Sequence, residues 1–69
     1  MPQMKFNRDA IYCEMRYPGN NAELVVLWSG LVLRRKPGQE WTTAEKSTDL
    51  ATTVARAGFL GWVETFTDV

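Results

Sequence analysis

The sequence predicts a small α+β domain. An antiparallel three-stranded meander is expected first, then one helix packed on one sheet face, then a C-terminal strand, in the order β-β-β-α-β. Three observations predict it: alternation of apolar and polar residues in the first third of the chain, turn residues at regular intervals, and one segment with helix signals at both ends.

Residues 10–17 open the meander. Ile11, Cys13, Met15 and Tyr17 alternate with Tyr12, Glu14 and Arg16, as in a strand buried on one face. Pro18-Gly19-Asn20-Asn21 is a turn. Residues 23–28 are apolar at nearly every position, which suits a central strand. Ser29-Gly30 is a two-residue hairpin loop. Residues 31–36 form the third strand, closed by Pro37-Gly38.

The helix is predicted over residues 43–57. Thr42 and Glu45 have the spacing of a capping box. Gly58 suits the left-handed residue of a Schellman motif, with Phe59 folding back on Val54. The inward stripe would be Ala44, Ser47, Leu50, Ala51, Val54 and Ala57. Residues 61–67 make the last strand, expected beside the first and parallel to it after a right-handed crossover.

With 69 residues the chain has room for a single domain, residues 1–69. Eight basic and eight acidic residues cancel, which argues against a dedicated nucleic-acid binder. The charge is uneven: residues 1–36 hold six basic and three acidic side chains, residues 37–69 two basic and five acidic. Cys13 is the only cysteine, so no internal disulfide forms. Met1 to Lys5 lacks the apolar stretch of a signal peptide, and no apolar run reaches the ~20 residues of a membrane span. A cytoplasmic location without membrane contact is expected.

There is no histidine. The commonest general base and metal ligand is therefore missing, and one cysteine cannot build a zinc site. Cys13 alternates inward and reads as a small buried hydrophobe. The glycines stand singly, so no phosphate loop exists. No catalytic, cofactor-binding or metal-binding residues are assigned, and a non-enzymatic protein is expected.

Binding is the remaining class. Trp28 is expected in the core. Trp41 precedes the predicted cap, where a hydrophobic staple would pair it with Lys46, which is not an apolar partner. Trp41 is thus the first candidate contact, as a partly wet tryptophan. Arg34-Arg35-Lys36 is the only basic run, and alternation splits it between two faces. Tyr12 and Arg16, on the outward side of the first strand, would extend this surface.

The stretch Val26-Leu27, then Leu33-Arg34-Arg35-Lys36-Pro37, then the helix ending at Gly58, resembles the bacterial cell-division activator family. That resemblance covers about half the chain and implies a small sheet-and-helix module associated with DNA and RNA polymerase. In architecture alone, the element order looks like several small phage inhibitors of host RNA polymerase or CRISPR complexes. Both imply a compact regulator or inhibitor, in the second case phage-encoded, that docks on a larger protein assembly. The alternative is a nucleic-acid-binding sheet module using Arg16, Arg34, Arg35 and Lys36.

Overall fold

The computed structural model describes residues 6–68. The Met1 to Lys5 segment read for a signal peptide lies outside them. The domain is α+β: a five-stranded antiparallel sheet and one α-helix. A short 3-10 turn, Arg8–Ala10, leads into β1 (Ile11–Tyr17), β2 (Ala22–Leu27), β3 (Leu31–Arg35) and β4 (Thr42–Lys46). Then come α1 (Leu50–Phe59) and β5 (Val63–Thr67), and the strand order is β4-β3-β2-β1-β5.

The meander therefore has four strands, not three. Thr42 to Lys46, expected as the first turn of the helix, is a strand paired with β3. Thr42 and Thr43 are β-branched and favour extended backbone. Opposite them β3 offers an unpaired edge, so a ladder forms there instead of a capping box. The Thr42 hydroxyl donates to the Arg34 carbonyl at 3.1 Å, and Glu45 reaches across to Arg56 on α1 at 2.8 Å.

The helix starts at Leu50. Asp49 is its cap, with its carboxylate accepting from the Thr52 N–H at 3.1 Å. The closing motif lies three residues beyond the expected one. Gly58 is helical, and Gly61 takes the left-handed conformation at φ +107°. The Trp62 N–H donates to Ala57 and the Gly61 N–H to Gly58, both at 3.1 Å, which is the Schellman pattern. Thr53, not part of the expected inward stripe, is buried; its hydroxyl bonds to Ser47 and to the Asp49 carbonyl.

The extra strand also reverses β5. It lies beside β1 as expected, but antiparallel to it. An even number of strands precedes the helix, so the chain leaves β4 at the other end of the sheet.

Both sheet faces are covered at their centre. Under α1, Cys13, Met15, Leu24, Val26, Val32 and Ala57 form one cluster. On the opposite face, Ile11, Val25, Leu27 and Leu33 form another, roofed by Phe6, Leu31, Trp41 and Phe66. A bulge in β1 explains why Ile11 and Cys13 face opposite ways. Tyr12 is the extra residue, so it packs on the helix side with Cys13 instead of facing outward with Glu14 and Arg16. Further bulges sit at Ala44 in β4 and Thr65 in β5, the two edge strands. Bulges at edges disfavour pairing with other chains. Among the described residues, no helix is long and apolar enough to cross a membrane.

Candidate functional site

The end of α1 turns into β5 through Leu60, Gly61 and Trp62, and this corner carries apolar side chains in water. Phe59 is 93% exposed, Leu60 67% and Val63 52%. The Schellman turn imposes it. Phe59 falls on the outer side of the last helical turn, where Ala57 and Trp62 already occupy the inner side. Tyr17 closes the corner from β1, packed edge-to-face on Trp62 with ring centroids 5.3 Å apart. Gly61 leaves room for that ring: a Cβ there would come within 3.1 Å of Tyr17.

Beside the corner lies a groove of about 490 Å³, lined by Tyr17 and Trp62 on one side and by Arg34, Lys36, Glu40 and Thr42 on the other. A smaller recess of about 120 Å³ continues beneath the helix, sharing Arg34 and Trp62 with the groove and reaching Leu60. Among the described residues, no carboxylate pairs with Arg34 or Lys36.

The other sequence candidates lie elsewhere. Arg35 is on the opposite sheet face, bonded to Glu23 at 3.2 Å and stacked over Trp41 at 4.3 Å from the ring centre. Trp41 is half-buried, edge-to-face with Phe6 at 5.6 Å, and belongs to the apolar cluster of that face. Arg16 lines a shallow recess there with Glu23 and Trp41. Tyr12 is on the helix side, near the far end of β1 from the groove, against Trp28 at 4.7 Å. Of the six residues singled out, the structure brings Arg34, Arg35 and Lys36 to the groove wall, and Arg16 and Arg35 to Trp41 on the other face. Trp28, expected in the core, is 50% exposed, with its indole N–H donating to Asp68 at 3.2 Å. It sits past the end of β2, in the hairpin turn, where no second layer covers it.

The corner was not read from the sequence as a site. The signal was there: Phe59-Leu60-Gly61-Trp62-Val63 is apolar at four of five positions, and such a run at a helix–strand junction cannot bury every side chain.

The chemistry of the described residues is sparse. No cluster of three or more Cys, Asp or Glu is placed to hold a metal ion. The Cys13 thiol is fully buried, and burial pushes its pKa up. Glu64 and Glu14 push the same way, while a hydrogen bond with Thr67 opposes them. A thiol held protonated and out of water is a poor nucleophile.

In comparisons with known proteins, no family model matches this chain, no curated protein matches it, and no solved structure matches it.

Proposed function

We propose that this protein works by binding: a small non-enzymatic regulator or inhibitor that docks on a larger protein assembly through the α1–β5 corner. The observation that carries this reading is the exposure of Phe59, Leu60 and Val63 within five residues of chain, around the Trp62 that packs on Tyr17. Scattered single apolar residues on a surface are ordinary, but a cluster with aromatic anchors is the composition of an interface centre. RNA polymerase is the kind of assembly that the sequence resemblance suggests.

The nucleic-acid reading has less support. Arg34, Arg35 and Lys36 line the groove, but Arg35 is held by Glu23 and Arg16 lies on the other sheet face. Phosphate binding gains most from cations that track one backbone.

The test is co-purification of the tagged protein from its native host, quantified by mass spectrometry, for wild type, Phe59→Asp and Val63→Asp. Both variants are expected to fold as wild type by circular dichroism and to lose the main co-purifying assembly. An unchanged set of partners in both variants would overturn the corner as the contact.

A further inference from the structure

We infer that the groove between Trp62 and Arg34 receives an extended acidic segment of the partner, with an apolar side chain on Trp62 and Leu60 and a carboxylate on Arg34 and Lys36. This rests on the docking reading above and names the chemistry of what docks.

Charge is the first ground. The three ion pairs among the described residues engage Arg8, Arg35 and Arg56. Arg34 and Lys36 have no such partner, and both line the same groove. Glu40 is the one carboxylate on its wall; Glu45, in the adjoining recess, is bound to Arg56 at 2.8 Å. The groove therefore offers two free cations against one free anion, in a molecule with no net charge. A carboxylate entering it gains a charge-assisted hydrogen bond from a guanidinium that no carboxylate among the described residues holds.

Shape is the second ground. Groove and recess share Arg34 and Trp62 and so adjoin, marking a path from Leu60 to the β3–β4 loop. Its apolar end is Leu60 and Trp62, and its charged end is Lys36. An apolar side chain and an acidic one a residue or two apart on an extended segment match that order. Arg35, the third cation on the wall, is held by Glu23, and the two left are few for a nucleic-acid strand, whose affinity grows with each phosphate neutralised.

The probe is a displayed random library of peptides about 12 residues long, long enough to span that path. Selected peptides are resynthesised and titrated against the protein, with the three indole N–H resonances followed by NMR. Enriched sequences are expected to carry Asp or Glu beside Leu, Ile or Phe, and to move the Trp62 resonance while leaving Trp28 in place. Arg34→Glu should weaken them about tenfold or more, and Arg16→Glu, on the other face, should not. The inference falls if no peptide is enriched, if the enriched peptides lack acidic residues, or if Arg34→Glu binds them as wild type does. It also falls if a thymidine oligonucleotide moves Trp62 at lower concentration than any peptide. Corner-dependent co-purification without peptide binding removes this inference alone. Peptide binding without corner-dependent co-purification removes the corner reading and leaves the groove.

Discussion

The Ser47 N–H donates to the Gly30 carbonyl at 2.6 Å, tying the β2–β3 turn to the chain that leaves β4 for the helix. Gly30 has φ +98°, and a Cβ there would lie 2.5 Å from the Ser47 carbonyl oxygen. Both backbone conformation and space require glycine. Gly30→Ala is expected to destabilise the fold by about 1–3 kcal/mol, read from thermal or urea melts. A variant that melts with wild type would show that this clamp is not needed.

Gly58 should behave in the opposite way. It is helical, and a Cβ there meets nothing within 4 Å. Gly58→Ala should therefore stabilise by about 0.5–1 kcal/mol, as alanine loses less backbone entropy in a helix. Gly61→Ala should destabilise, because φ is +107° and the Tyr17 ring lies against the site. The pair of melts checks the position of the helix end: a loss at Gly58 would move it back by a turn.

The helix cap makes part of the stability pH-dependent. The Thr52 backbone N–H, followed by the Thr52 side chain, holds the Asp49 carboxyl below its ordinary pKa. A depressed folded pKa contributes stability that is present above the unfolded value and lost as pH falls through the folded one. Asp49→Asn keeps an acceptor at the cap but removes the titration. The advantage of wild type over Asp49→Asn should thus shrink as urea melts are taken from neutral pH through the carboxylate range. A constant difference would contradict it.

The tryptophans should separate by environment. Trp28 is half exposed, with Tyr12 and Asp68 as its partners. Trp28→Ala should cost about 1 kcal/mol, the scale of one aromatic pair and one surface hydrogen bond. Trp41 roofs the apolar cluster on the side away from the helix, so Trp41→Ala should cost about 2–3 kcal/mol, short of a fully buried tryptophan. Acrylamide should quench Trp28 more than Trp41 in single-tryptophan variants. Equal quenching or the reverse order of melts would refute this placement.

Cys13 should be silent. It is inaccessible, and its pKa is raised first of all by burial. Reaction with a thiol reagent at neutral pH should proceed only as fast as the protein opens, and should accelerate with urea in step with unfolding. Rapid labelling of the folded protein would overturn the burial of this thiol.

Local patterns carried much of the fold. Alternation placed Cys13 and Met15 inward, the turn residues 18–21 and 29–30 set the first two connections, and the apolar run of β2 marked the sheet centre. The corner shows the limit. Its apolar run was visible, but which side chains of Phe59, Leu60, Trp62 and Val63 stay in water depends on where the helix stops. That depends on Gly61 and not Gly58, two glycines that differ in backbone angle and in what surrounds them.

By itself the sequence determined a sheet-and-helix architecture, because side-chain periodicity and turn chemistry act over a few residues. The tertiary structure decided whether Thr42 to Lys46 would be helix or strand, and with it the direction of β5 and the make-up of the groove. Five residues with both a cap spacing and β-branched threonines satisfy their backbone either way locally. The open edge of β3, reached only once the sheet has assembled, turns the balance.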